Sequence, residues 1–254
     1  MIKFLVTLIL FSIVITCKSQ TAEPPDFSAD RPGMATTAFV LNRGIFQIES
    51  GFSYEKIKTE NTLQENTLYN SSLFRYGITK SAEVRLQADY TRAKTDSTNI
   101  MGFNPIILGT KLLISEGKGI IPKTAFMFNL TLPFWGKKDF KPQNLAPSAY
   151  LLMQNDITDK LNICYNIGLE YDGQNAAPAD FLAVCLGYNF TDKLGASLES
   201  YGWFYNNTKP DYYADLALAF MLTKNFQFDI SESVSLKDFK NYSMLNFGVA
   251  WMMR

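Results

Sequence analysis

The stretch that decides the fold is Leu161–Asp172, which reads LNICYNIGLEYD. Every odd-numbered residue in it is apolar or aromatic, and every even-numbered residue is polar, small or charged. Because successive side chains of a β-strand point to opposite faces, this alternation predicts a strand with one apolar and one polar face. Its length exceeds the roughly five or six residues of a typical globular strand. It matches the about 9–11 residues with which a tilted strand crosses a bilayer.

The same alternation recurs at 82–92, 181–190 and 225–235, where Glu232 interrupts the apolar face of the last stretch. Together with weaker patterns between them, these stretches predict twelve strands. The predicted strands are 45–57, 67–77, 82–93, 105–115, 121–133, 147–157, 161–172, 180–190, 194–205, 212–222, 225–235 and 242–253.

The connections between these strands alternate between short and long. The short turns are Ile78–Ser81, Glu116–Gly119, Ile157–Lys160, Phe190–Lys193 and Leu222–Asn225. The longer loops lie near 58–66, 94–104, 134–146, 173–179, 206–211 and 236–241. This asymmetry is typical of bacterial outer-membrane barrels, whose short turns face the periplasm. We therefore predict an all-β protein: a transmembrane, antiparallel, up-and-down β-barrel of about 12 strands over residues 45–254, with its apolar face outward.

The composition excludes several classes of function. The chain has 254 residues, 47% of them hydrophobic, with Lys+Arg 24, Asp+Glu 24 and no His. A neutral chain without a basic patch argues against nucleic acid as a partner. Without His, no Ser-His-Asp triad and no His-ligated zinc site can form. We expect no enzyme activity, no cofactor and no metal.

The N-terminus resembles an export signal. Lys3 precedes an apolar run that is as long as the hydrophobic region of a signal peptide. This run is too short to span a membrane as a helix. We predict a signal peptide at 1–19, although lipidation of Cys17 is an alternative. Residues 20–44 are rich in Pro and small residues, and either line the periplasmic side as a linker or plug the barrel.

Several motifs resemble one known family. Phe74-Arg75-Tyr76-Gly77-Ile78-Thr79 followed by Glu83-Val84-Arg85-Leu86 is similar to a hairpin of the outer-membrane transporter family named for the MetA pathway of phenol degradation. Asp30-Arg31-Pro32-Gly33, Gly44 and Glu49 resemble its N-terminal segment, and the Thr-Asp-Lys-Leu turns also fit. The resemblance implies an outer-membrane barrel and, through the family name, aromatic compounds.

The alternation along each strand, that is, whether a residue has an odd or an even position in it (its parity), places thirteen charged side chains inside the predicted barrel. They are Glu49, Glu55, Arg75, Glu83, Arg85, Asp89, Lys111, Lys123, Glu170, Asp172, Glu199, Asp215 and Asp229. Two interpretations remain open, a lumen that selects solutes by charge and a filled core whose charges pair across strands. Arg75, Glu83 and Arg85 flank one tight turn with matching parity, which predicts a local ion-pair cluster. Cys164 and Cys185 are predicted to face inward on adjacent strands, either as thiols or as a disulfide.

Aromatic residues gather at the predicted loop ends. Trp135 and Trp203 lie there, and either grip an apolar solute or anchor the membrane interface. The leading hypothesis is an exported outer-membrane channel in a Gram-negative cell, with outer-membrane lipid, a small solute and the barrel-assembly machinery as partners. It would take up small solutes passively, including hydrophobic or aromatic ones. The alternatives are a structural or adhesive barrel and a His-independent barrel enzyme.

Overall fold

The computed structural model describes residues 27–58, 63–175, 177–206 and 209–253. The predicted signal peptide at 1–19 and Cys17 lie outside these residues. Within them the secondary structure is almost entirely strand, with one short 3-10 turn at Lys138–Phe140. No helix of the described part is long and apolar enough to cross a membrane.

Thirteen strand segments follow one another within the described residues. They are β1 Phe46–Lys58, β2 Leu63–Gly77, β3 Ala82–Lys94, β4 Asn99–Phe103, β5 Ile107–Ser115, β6 Lys123–Thr131, β7 Ala146–Asp156, β8 Leu161–Glu170, β9 Ala179–Asn189, β10 Leu194–Phe204, β11 Asp211–Thr223, β12 Phe226–Ser235 and β13 Tyr242–Met253.

These segments close into one antiparallel barrel. Neighbours in sequence pair along the sheet, and β1 pairs with β13 from Phe46↔Met253 to Ile57↔Tyr242. Both β4 and β5 pair with β3, at Tyr90↔Phe103 and Gln87↔Ile107, so they share one position in the barrel. The barrel therefore has twelve strand positions, which confirms the predicted fold. A closed barrel leaves no unpaired strand edge, as a membrane requires.

The apolar face points outward. Leu169 is 52% exposed although it is apolar, whereas Glu199 is 2% exposed although it is charged. Since a water-soluble barrel buries its apolar face inside, this inversion indicates a barrel that is surrounded by lipid. Some polar side chains also lie on the outer face. Ser50 and Ser72 hydrogen-bond to Asn70, Ser200 donates to the carbonyl oxygen of Tyr213, and Glu232 is exposed between Leu216 and Leu245.

The barrel has two different ends. The end that carries both strand termini, Phe46 and Met253, also carries the five short connections, and we call it the turn end. At the opposite loop end, β1, β2 and β3 extend further than predicted, whereas β6 and β8 end earlier. Lys58 still pairs with Leu63, and Asn99–Phe103 extends the sheet inside the loop expected at 94–104. The residues 63–66 added to β2 are polar on both faces except for Leu63, so alternation does not predict this extension.

Candidate functional site

The lumen holds the chain that precedes β1. Residues 28–42, which we call the lumen segment, contact the inner faces of strands all around the barrel. The backbone N–H of Asp30 donates to Glu49 on β1, that of Thr36 to Asn166 on β8, and that of Met34 to Glu199 on β10. A backbone that reaches opposite walls must cross the lumen.

The segment joins β1 at the turn end. The N–H of Gly44 donates to the carbonyl oxygen of Gly77 at 2.8 Å. A Cβ on Gly77 would lie 2.0 Å from the carbonyl oxygen of Asn42, so only glycine allows this approach. The lumen segment therefore occupies the turn-end half of the barrel.

An ionic network ties this segment to the wall. The carboxylate of Asp30 lies 2.6 Å from Arg85, 2.9 Å from Lys111 and 3.5 Å from Arg75. Arg75 also contacts Glu49 at 2.8 Å and Glu83 at 2.9 Å, and Arg85 contacts Glu83 at 2.9 Å. These six side chains are all buried and comprise three acids and three bases, so the network is neutral as a unit.

Backbone groups of the segment complete the network. Nζ of Lys111 donates to the carbonyl oxygens of Thr37 and Phe39 at 3.1 and 3.2 Å, and Glu83 accepts from the N–H of Leu41 at 2.8 Å. Burial by itself raises the pKa of the Asp30 carboxyl, but the three surrounding cations outweigh it and hold this pKa well below its ordinary value. Asp30 therefore stays charged inside the barrel.

A second ion pair lies across the lumen. Nη2 of Arg31 lies 3.1 Å from Asp229 on β12. The guanidinium rests on two paired glycines, since a Cβ on Gly51 or Gly248 would lie 2.5 or 2.2 Å from it. These glycines leave the space that the arginine fills.

The tip of the segment reaches the middle of the barrel. Glu199, the central residue of β10, accepts the N–H groups of Met34 and Ala35 at 2.9 Å each. A Cβ on Gly33 would lie 2.2 Å from Oε2 of Glu199. Asp215 lies directly opposite Glu199 on β11 and accepts from Ser233 at 2.6 Å. The two carboxylates are therefore cross-strand neighbours.

Aromatic side chains line the lumen between this tip and the loop end. We call this set the aromatic wall: Tyr150, Phe181, Tyr201, Trp203, Tyr213 and Tyr242. The rings of Tyr201 and Tyr213 stack with centroids 5.3 Å apart. Glu170 lies among the rings, since it accepts from Tyr150 at 2.8 Å and from Nε1 of Trp203 at 2.9 Å.

The charged residues that were predicted to line the lumen lie in several different environments. The lumen segment contacts Glu49, Arg75, Glu83, Arg85, Lys111, Glu199 and Asp229. Glu170 and Asp215 adjoin the aromatic wall, and Asp89 accepts from Gln87. Lys123 pairs with Glu116 beside the turn and covers the ring of Phe39. Asp172 lies beyond the end of β8, in an exposed loop where it accepts from Gln174 and Asn175.

The aromatic residues expected at the loops separate in the structure. Trp135 is 57% exposed in the loop after β6, whereas Trp203 faces the lumen. Cys164 and Cys185 face each other on β8 and β9 as free thiols. In the described residues no group of three or more Cys, Asp or Glu side chains could hold a metal ion.

Sequence reasoning did not assign roles to Asp30 and Arg31, which carry the main contacts of the lumen segment. Their only signal in the sequence is the motif Asp30-Arg31-Pro32-Gly33. In this motif Asp30, Arg31 and Gly33 each lie against a charged side chain of the wall. No periodicity marks this stretch, because it is neither strand nor helix.

Solved structures share this architecture. An outer-membrane channel from Pseudomonas putida F1 matches with a TM-score of 0.70 and 8% identity, over 88% of this chain and 99% of the other. The KdgM porin, solved in complex with disordered oligogalacturonate, matches with a TM-score of 0.55 and 12% identity, over 80% and 99%. At such identities the likeness concerns the fold, which is that of outer-membrane channels and porins.

The sequence also matches a family model. The model of the protein family described as the MetA pathway of phenol degradation matches residues 29–252. The match begins inside the lumen segment and ends at the last strand. No curated protein matches the sequence.

Proposed function

We propose, from the premise that this chain belongs to the family of the MetA pathway of phenol degradation, that it is an outer-membrane channel for passive uptake of small solutes. The observation that carries the proposal is the inverted barrel. Its outer face is apolar and its interior holds charged side chains, which is the arrangement of outer-membrane barrels, among them those with a water-filled channel.

The aromatic wall favours solutes with an apolar or aromatic part. Phe181 and Trp203 present rings toward the interior, where a polar lumen would require neither. Rings that line a path bind apolar solutes by contact and by stacking. Hydrophobic or aromatic compounds are therefore the solute class that we assign to the channel.

The lumen segment makes the resting channel narrow. It crosses the turn-end half of the barrel and is fixed there by the two ionic contacts of Asp30 and Arg31. Uptake through the barrel then requires either a gap beside the segment or its displacement.

Transport can be tested with refolded protein in liposomes. We expect faster entry of a small aromatic solute such as phenol into vesicles with the barrel than into protein-free vesicles. Phenol crosses lipid by itself, so the difference is measured at high protein-to-lipid ratios. Ion conductance in planar bilayers shows separately whether the lumen is open. A barrel that neither conducts ions nor accelerates any solute would contradict the proposal.

The same lumen segment favours a second candidate, a structural barrel without transport. Its network is neutral and buried, as expected of a filled core. This candidate would be supported by a correctly assembled, heat-modifiable barrel that has no conductance, even after removal of the lumen segment, residues 28–42.

A further inference from the structure

The charges of the lumen are unevenly compensated. In the described part of the chain, every inward-facing base near the turn end is engaged by a salt bridge. These bases are Arg31, Arg75, Arg85, Lys111 and Lys123. Among the residues that the structure describes, five inward-facing acids have no salt bridge. They are Glu55, Asp89, Glu170, Glu199 and Asp215. The part of the lumen toward the loop end therefore carries an excess of negative charge.

One pair of these acids is buried in the middle of the barrel. Glu199 and Asp215 are cross-strand partners, and each of these residues is only 2% exposed. Among the described residues, Glu199 is compensated only by the backbone N–H groups of Met34 and Ala35, at 2.9 Å each. Oδ1 of Asp215 is buried and has no hydrogen-bond partner among the described atoms. A buried carboxylate oxygen without a partner costs free energy, which a bound cation would recover.

The aromatic wall begins directly beside this pair. The next inward pair along β10 and β11 is Tyr201↔Tyr213, whose rings stack, and Trp203 follows Tyr201 toward the loop end. Trp203 also donates to Glu170, so a second carboxylate lies at the outer side of the rings. Aromatic faces attract organic cations as well as apolar groups, and they do so more strongly when the site excludes water.

We infer that the lumen binds organic ammonium cations that carry an apolar or aromatic body. The ammonium group would contact Asp215 and Glu199, and the body would lie against Tyr201, Tyr213 and Trp203. This inference names a ligand class for the proposed channel and so rests on the proposed function. It also has a consequence for the lumen segment: a cation at Glu199 competes with the N–H groups of Met34 and Ala35 for the same carboxylate.

Binding can be measured without transport, by titration calorimetry on the full barrel in detergent. The probe is benzyltrimethylammonium, with uncharged benzyl alcohol and ring-free tetramethylammonium as comparisons. We expect the probe to bind at least about tenfold more tightly than either, because the site supplies both charge and rings. Equal affinity for benzyl alcohol, or for tetramethylammonium, would overturn the inference. This comparison needs no variant.

Variants then locate the site. Asp215→Asn and Trp203→Leu should each weaken binding of the probe by about tenfold, the equivalent of one good charged or aromatic contact. Glu232→Gln is the matched control, since it removes one acid from the outer face of the neighbouring strand β12. Equal loss in all three, or none in the first two, would place binding elsewhere and overturn the assignment.

The two proposals fail separately. A barrel that conducts and admits aromatic solutes but does not bind the cation contradicts the inference alone. A barrel that binds the cation at Asp215 but neither conducts nor transports contradicts the proposed function alone.

Discussion

The carboxylate of Asp30 lies 2.6 Å from Nη1 of Arg85 and 2.9 Å from Nζ of Lys111, so one residue of the lumen segment binds cations from two barrel strands. Arg85 and Lys111 would repel each other without an acid between them. The segment is therefore part of the wall's charge balance. Removing one member of a buried ion pair typically costs about 3–5 kcal/mol, because the other charge stays buried alone.

Replacing Asp30 should loosen the lumen segment. Asp30→Asn keeps the size of the side chain but leaves the cationic group Arg75, Arg85 and Lys111 with only two acids. We expect a higher single-channel conductance and a lower melting temperature than for the wild type. Asp192→Asn, in the exposed turn after β9, is the control for loss of one acid. A wild-type conductance in Asp30→Asn would show that other contacts hold the segment.

Acid should release the same contact. Since the pKa of Asp30 is depressed in the folded protein, its contribution to stability is fully present above the ordinary value of about 4. It is lost as the pH falls below that value toward the lower folded pKa. We expect a constant melting temperature between neutral pH and about pH 5, and a decline below about pH 4. In Asp30→Asn this decline should be smaller, and an identical decline would assign acid sensitivity to other carboxylates.

The orientation of the strands is open to a test with two neighbouring residues. Leu86 is 37% exposed on the outer face, whereas Gln87 faces the lumen and donates to Asp89 at 2.8 Å. Arg on the lipid face near the midplane costs about 2–4 kcal/mol. Leu86→Arg should therefore impair assembly, while Gln87→Arg gains an acidic partner. Heat-modifiable mobility on a gel measures the folded fraction, and equal assembly of both variants would contradict the assigned faces.

Sequence periodicity predicts the wall of this protein well, because each strand faces lipid on one side and the lumen on the other. Leu169 and Glu170 show this, since parity alone assigns their faces. The alternation continues to Asp172, however, and there it predicts a lumen residue where the chain has already left the strand. Periodicity reports the facing of a residue only as long as pairing lasts.

Sequence periodicity does not predict what fills the lumen of the barrel. The lumen segment has no period, and its path depends on charges that lie far away in sequence, such as Glu199 for Met34. The alternation of residues also does not indicate how much space surrounds an inward-facing side chain. Gly168 faces inward as expected, but a Cβ there would lie 2.3 Å from the ring of Tyr150, so this position has no room for a larger side chain.

The tip of the lumen segment offers a steric test of occlusion. A Cβ on Gly33 would lie 2.2 Å from Oε2 of Glu199, so Gly33→Val should push the tip away from β10 and break its two hydrogen bonds. We expect higher conductance with unchanged assembly, because the barrel wall itself is not altered. Ala214→Val, on the outer face of β11, adds comparable volume away from the lumen. Conductance raised equally in both variants would argue against a specific role of the tip.

Ion selectivity should depend on Glu170 and not on its neighbour Asp172. Parity assigns nine acids and four bases to the interior, which predicts a weak preference for cations. The bases are held in ion pairs near the turn end, while Glu170 lies among the rings of Tyr150 and Trp203. Charges between low-dielectric walls keep their field better than exposed ones, and salt screens that field.

Reversal potentials under a KCl gradient measure this preference. Glu170→Gln should lower it, whereas Asp172→Asn should leave it unchanged, because Asp172 is solvated in a loop and accepts from Gln174 and Asn175. The difference between the two variants should shrink at high salt, as the screening length falls to about 3 Å at 1 M. An anion-selective pore, or equal effects of both substitutions, would instead indicate that the carboxylate of Glu170 is neutralised within a filled core.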